Sequence, residues 1–118
     1  MSSARPVKGT VVIVDVPYLD ATQAVRRPAV VVSDSSQMLD VIIAAISSRI
    51  RQPLPPTHYV INRNHPDWTR SGLRLDSVVR CDRLFTVEFS AIVRVLGDVS
   101  PVTLQQIDER LKLAMGMI

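Results

Sequence analysis

Residues 10–16, Thr10-Val11-Val12-Ile13-Val14-Asp15-Val16, and residues 28–33, Pro28-Ala29-Val30-Val31-Val32-Ser33, decide the fold class. Each is a short β-branched run. The first is closed by Pro17 and the second by the turn-like Asp34-Ser35-Ser36. Such side chains are stiff at χ1 and crowd a helix but pack well on a pleated surface, so both runs read as strands. Working outward, Val41-Ile42-Ile43-Ala44-Ala45-Ile46-Ser47 is a third run. A connection holding Pro53, Pro55 and Pro56 separates it from a fourth candidate over 57–62. Prolines at that density make a non-helical loop. Two further strands are expected over 75–81 and 91–96, the first entered by the Ser71-Gly72 turn signal and the second closed by Gly97. The period then changes. Ser100 is an N-cap candidate and Pro101 suits the first helical position; Leu104, Ile107, Leu111, Ala114 and Met115 follow at helical spacing, and Gly116 is a stop. Short strands about ten residues apart and one terminal helix predict a mostly β fold, a small antiparallel barrel or curled sheet capped by that helix.

The composition agrees with one folded domain over residues 1–118. At 118 residues the chain buries roughly two-thirds of its unfolded surface, and 47% apolar content excludes intrinsic disorder. Cys81 is the only cysteine and cannot pair internally, which suits a reducing cytosol. The first ten residues lack the apolar stretch of a signal peptide, and runs such as Val41 to Ile46 are too short to span a bilayer. The expectation is a soluble, cytoplasmic protein with no membrane partner.

Net charge is only +3, yet twelve of the fourteen cations are arginine, which grips phosphate and carboxylate bidentately where lysine cannot. A high-GC coding bias enriches arginine equally well, so position has to decide. From Val41 to Pro66 no acidic residue occurs, while Arg49, Arg51, Arg63, His58 and His65 lie within that stretch. A surface facing an anionic partner would look like this.

Familiar catalytic signatures are missing. Four scattered glycines make no phosphate loop. Cys81, His58 and His65 are too few for a zinc set, and the acidic residues form no evident magnesium site, so neither metal nor cofactor is expected. Cys81 as a nucleophile would want a basic partner, and a thiol flanked by Val79 and Asp82 reads instead as a packing residue. Three positions have a functional reading beside an ordinary one. Arg26-Arg27-Pro28 enters a strand from a polar loop, either clamping a phosphate or simply being solvated there. Ser47-Ser48-Arg49 ends an apolar strand, where alternation puts Ser47 and Arg49 on one face, able to converge on an anion, although serine is also an ordinary strand end. In Arg80-Cys81-Asp82 the same alternation pairs Arg80 with Asp82 and sends Cys81 to the other face, which a structural ion pair explains equally well.

In order and spacing, these segments resemble one family. Lys8-Gly9-Thr10-Val11-Val12, the loop ending in Arg27-Pro28 with its strand Ala29-Val30-Val31-Val32-Ser33, the strand ending Ala44-Ala45-Ile46-Ser47-Ser48, and Val78-Val79-Arg80-Cys81-Asp82 are similar to the MazF/PemK toxin ribonucleases, from about Lys8 to Ile118. The resemblance implies an SH3-like barrel of the CcdB/PemK type with a C-terminal α-helix. It also implies a homodimer and metal-independent, sequence-selective cleavage of single-stranded RNA, with an acidic cognate antitoxin as inhibitor. By position it makes Arg27 and Ser47 catalytic, adds Arg80 and Asp82 as proposed acid and base, and leaves Gln23, Arg26, Ser48 and Arg49 as candidate RNA contacts. Two departures stand out: Ser47 replaces the commoner threonine but keeps the hydroxyl, and the loop before Arg27 lacks the histidine some PemK-type members use.

Cleavage without metal proceeds by attack of the 2′-hydroxyl on its own phosphate, leaving a 2′,3′-cyclic phosphate and a 5′-hydroxyl. Arginine suits charge stabilisation but not acid catalysis, because guanidinium holds its proton above about pH 12. An aspartate with an ordinary value near 3.9 is a weak base at neutral pH, and Arg80 beside it lowers it further unless burial opposes, so slow turnover is expected. Two rival readings share the barrel. A CcdB-like gyrase-binding poison would carry a Trp-Gly-Ile ending, whereas this chain ends Ala114-Met115-Gly116-Met117-Ile118. A non-catalytic RNA-binding barrel would use the same residues only to contact anions.

Overall fold

The computed structural model describes residues 5–17, 24–34, 36 and 39–117. Among them run β1 (Thr10–Pro17), β2 (Ala24–Val31), β3 (Val41–Ser47), β4 (His58–Ile61), β5 (Ser77–Val87) and β6 (Ile92–Asp98), with α1 (Trp68–Ser71) before β5 and α2 (Pro101–Ala114) after β6. The strands form one antiparallel sheet in the order β4-β5-β3-β2-β1-β6. The fold is mostly β with one C-terminal helix, as expected. Among the described residues no helix is long and apolar enough to cross a membrane.

The sheet does not close by strand pairing. β4 and β6 stand at its two ends, and α1, which follows β4, packs against β6 instead. The approach is close enough that a Cβ on Gly97 would collide with the Arg70 carbonyl, and one on Gly72 with the Leu96 carbonyl. Arg70 Nε donates to Asp98 Oδ1 at 2.8 Å across the same seam. Two glycines therefore do the work of a seventh strand, bringing backbone against backbone.

Alternation along the strands sorts the apolar residues into two clusters. Val11, Val30, Ala44, Ile46, Val79 and Cys81 face α2, where Ile107 is fully buried. The opposite face carries Val12, Val14, Val16, Ala29, Val31 and Ile43, with Phe85 and Phe89 packed against them. Burying a side chain such as Ile107 contributes about 1.5–3 kcal/mol. At the helix start, the Ser100 hydroxyl accepts from the Thr103 N–H at 3.3 Å and Pro101 occupies the first turn. At its end, Gly116 adopts a left-handed φ of 68°, and the N–H groups of Met117 and Gly116 close on the carbonyls of Lys112 and Leu113. The start and the stop signal both follow from local rules.

Two boundaries and one short helix depart most from expectation. β2 begins at Ala24, because Val25, Arg26 and Arg27 pair with Val16, Asp15 and Val14 of β1. β5 continues to Val87. Its partner β3 advances one residue, Ala44 to Ala45, while β5 advances from Leu84 back to Arg80, so Cys81, Asp82 and Arg83 form a wide bulge that masks the alternation. The four-residue α1 is too short to leave a helical period in the sequence.

Candidate active site

The register of three adjacent strands assembles the site. Ala29 of β2 faces Ala45 of β3, and Ala45 in turn faces Arg80 of β5. Since side chains two residues apart share a face, Arg27, Ser47 and Arg80 all stand on the side carrying Ala29 and Ala45. The two alanines leave the floor low. Above it lies a cavity of about 400 Å³ whose polar wall is Arg27, Ser47, Ser48, Arg49, Arg80 and Arg83, with Phe85 and Ile43 at the apolar side. A second hollow of about 330 Å³ lies alongside and adds Arg26, Arg74 and Arg94. Arg27, Pro28, Ile46, Ser47 and Ser48 line both, so the arginine and the hydroxyl form the ridge between them.

Hydrogen bonds and ion pairs fix several of these side chains. Ser47 Oγ accepts the Arg49 N–H at 3.0 Å, turning the chain at the end of β3 and leaving the hydroxyl proton for a ligand. Arg26 Nε is 3.2 Å from Asp15 Oδ1, the residue it faces across β1 and β2. Arg80 Nε lies 3.4 Å from Asp82 Oδ1, so the ion pair read from alternation is present. Asp82 itself lines neither cavity. Its burial works to raise its pKa, but the hydrogen bond and charge of Arg80, with His58 beyond, outweigh this and hold the carboxyl below the usual range. Cys81 is fully buried in the α2-facing cluster, and burial pushes its thiol up to about 12. It is a packing residue, as the flanking sequence indicated. Gln23 lies outside the described residues.

Sequence reasoning missed Arg83, Arg74 and Arg94. Arg83 reaches the first cavity only because the bulge re-aims it, and the other two are brought in by the loop before β5 and by β6. Conversely, the acid-free stretch from Val41 to Pro66 does not make one basic face. His58 is buried. His65 takes the Asp67 N–H on Nδ1 at 2.9 Å and meets the Tyr59 hydroxyl through Nε2 at 2.7 Å. Arg63 Nε is 3.5 Å from Asp76 Oδ1, leaving Arg49 as the cation of that stretch on the cavity wall. Among the described residues no three His, Cys, Asp or Glu side chains group to hold a metal ion.

A family profile described as "PemK-like, MazF-like toxin of type II toxin-antitoxin system" matches residues 7–115. The chain belongs to this toxin family. The matched span takes in every element of the toxin from β1 to α2. Solved structures agree on the fold. An endoribonuclease from a mycobacterial species is 22% identical, with a TM-score of 0.74 over 99% of this toxin and 97% of that chain. An endoribonuclease in complex with its cognate antitoxin, also mycobacterial, is 23% identical, with a TM-score of 0.74 over 96% and 97%. MazF from Deinococcus radiodurans is 19% identical, with a TM-score of 0.75 over 98% and 100%.

Proposed function

We propose that this toxin is an endoribonuclease that cuts single-stranded RNA by attack of a 2′-hydroxyl on the adjacent phosphate. The observation that carries this reading is the convergence of Arg27, Ser47 and Arg80 from three strands on one arginine-walled cavity. The bond from the 2′-oxygen to phosphorus forms and the bond to the 5′-oxygen breaks; one proton leaves the 2′-hydroxyl and one arrives at the 5′-oxygen. Arg27 and Arg80 hold the non-bridging oxygens as charge builds on the phosphorane, and Ser47 donates its hydroxyl proton to fix the attack geometry. Fixed guanidinium groups beside an apolar floor serve this better than water because they need no reorganisation during reaction. Asp82, which does not line the cavity, shapes the site by holding Arg80.

Arg26, Ser48 and Arg49 contact neighbouring parts of the strand. Splayed single strands fit, since their bases and hydroxyls are free to adopt the attack geometry. The same wall of cations suits an acidic antitoxin that lays carboxylates where phosphates bind. The toxin acts in the cytoplasm as a homodimer, with the exposed Val93 and Val95 of the sheet-end strand β6 available to bury against a twin.

The test is incubation of the purified protein with mixed-sequence RNA in excess chelator. Fragments ending in 2′,3′-cyclic phosphate and 5′-hydroxyl are expected. Equal cutting by a folded Arg27→Ala protein would remove this site, and intact RNA retained on the protein would make it a binding module.

A further inference from the structure

His58 lies in the first position of β4, directly across from Arg80 of β5, so the imidazole and the guanidinium stand on the same face of the sheet. It is 2% exposed, and its Nε2 is 3.3 Å from Asp82 Oδ1. That same carboxylate oxygen lies 3.4 Å from Arg80 Nε. One oxygen thus links a buried imidazole to a cation on the cavity wall. The other ring nitrogen, Nδ1, is buried without a hydrogen-bond partner. Asp82 Oδ1 can only accept, so the ring nitrogen that faces it is the one suited to bear a proton. The geometry therefore favours a proton on Nε2, directed at Asp82. The backbone beneath is also pinned: Arg110 of α2 donates through Nε to the His58 carbonyl at 3.1 Å and lies 4.8 Å over the Tyr59 ring.

We propose that His58 is a positioning residue for RNA cleavage: it fixes Asp82, which occupies Arg80 Nε and so turns the terminal nitrogens of Arg80 toward a phosphate in the cavity. The inference rests on the reading of this cavity as a ribonuclease site. Asp82 sits in the three-residue bulge of β5, where no ladder bond to β3 holds it. Without the imidazole its carboxylate keeps only Arg80 and its own backbone N–H to orient it, which leaves the pair freer to swing. His58 supplies the rigid end of the chain.

The experiment compares His58→Leu, which fills similar space without a donor, and His58→Gln, whose amide nitrogen reaches close to the place of Nε2. Single-turnover cleavage of a defined single-stranded RNA is measured together with KM. The expected result is a fall in kcat of up to about 100-fold for His58→Leu with little change in KM. Substantial recovery is expected in His58→Gln, and no further loss when His58→Leu is added to Asp82→Ala. Full activity in folded His58→Leu overturns the proposal, as does a loss that His58→Gln fails to recover or that adds to the loss in Asp82→Ala. Should His58→Leu not fold, the wild-type ring decides by nitrogen NMR. A protonated Nε2 whose resonance moves in Asp82→Asn supports the proposal, and a protonated Nδ1 overturns it. Wild-type protein that leaves RNA intact fails the ribonuclease reading instead, a result distinct from all of these.

Discussion

Ala29 on β2 faces Ala45 on β3, and this pairing of two methyl groups determines which side chains meet above it. Two residues along β2 stands Arg27, and two along β3 stands Ser47, both on the alanine face. Because Ala45 also faces Arg80 on β5, a one-residue slip at either ladder would send one of the three polar groups to the opposite, apolar cluster. The site is therefore a product of sheet register, and its volume comes from alanines where larger side chains would fill the floor.

Arg27 should not be replaceable by lysine. The proposed role needs a planar fork on two phosphate oxygens, and a lysine supplies a point charge on a flexible stem. Arg27→Ala and Arg27→Lys are each expected to lower kcat by about 100-fold or more, the scale of losing one transition-state donor. Ser47→Thr should retain most activity and Ser47→Ala should not, because the hydroxyl rather than the methylene carries the function. Steady-state cleavage of a fluorescent oligoribonucleotide separates these outcomes.

Among the cations of the acid-free stretch, only those on the cavity wall should contribute to RNA affinity. Arg49 lines the cavity, whereas Arg63 lines neither hollow and lies 3.5 Å from Asp76. In anisotropy titrations with a single-stranded 2′-O-methyl RNA, Arg49→Ala should reduce the slope of log affinity against log salt by about 0.7, the value of one phosphate contact on a single strand. Arg63→Ala should leave the slope unchanged. Equal slopes for both variants would mean that the cavity does not hold the RNA.

How much of this was legible in the sequence depended on how local each signal was. The strand over 41–47 and the helix from Pro101 were readable because a β-branched run and a pair of caps act within a few residues. The start of β2 was not, since Arg26 and Arg27 look like loop charges until β1 pairs with them. Arg83 and the end of β5 were hidden by a bulge that breaks the period used to find strands. His58 gave no sign of its burial, because β4 is only four residues long and its surroundings come from β5 and α2. Arg27, Ser47 and Arg80 could be named from family resemblance; their common face required the register.

The seam between α1 and β6 makes two glycines unequal. A Cβ on Gly97 would run into the backbone of Arg70 and Ser71, which cannot rotate away, whereas one on Gly116 meets nothing within 4 Å. Gly97→Ala should therefore cost at least about 3 kcal/mol, the upper range for overpacking. Gly116→Ala should cost about 1 kcal/mol, from the left-handed φ of 68° alone. Urea unfolding of the two variants tests this difference, and equal midpoints would contradict the close approach.

Acid should weaken the protein through Asp67. This carboxylate is almost completely buried, and its Oδ2 accepts the Ser100 N–H at 2.8 Å, tying the segment before α1 to the start of α2. Burial alone would raise its pKa. Hydrogen bonds from Thr103 and Ser100, with His65 nearby, outweigh burial and hold it below the ordinary value. A carboxyl whose pKa is lower folded than unfolded adds stability that is fully present above its unfolded value, near 3.9, and is lost as pH falls through the folded one. Asp67→Asn has similar shape but no charge at any pH. The wild type should exceed it by about 1.5–3 kcal/mol at neutral pH, the scale of hydrogen bonds to a charged group. Urea midpoints at pH 7, 5 and 3 should show that difference steady between the first two and narrowed at the third. A difference that stays constant down to pH 3 would place the ionised carboxylate outside the forces that hold α1 to α2.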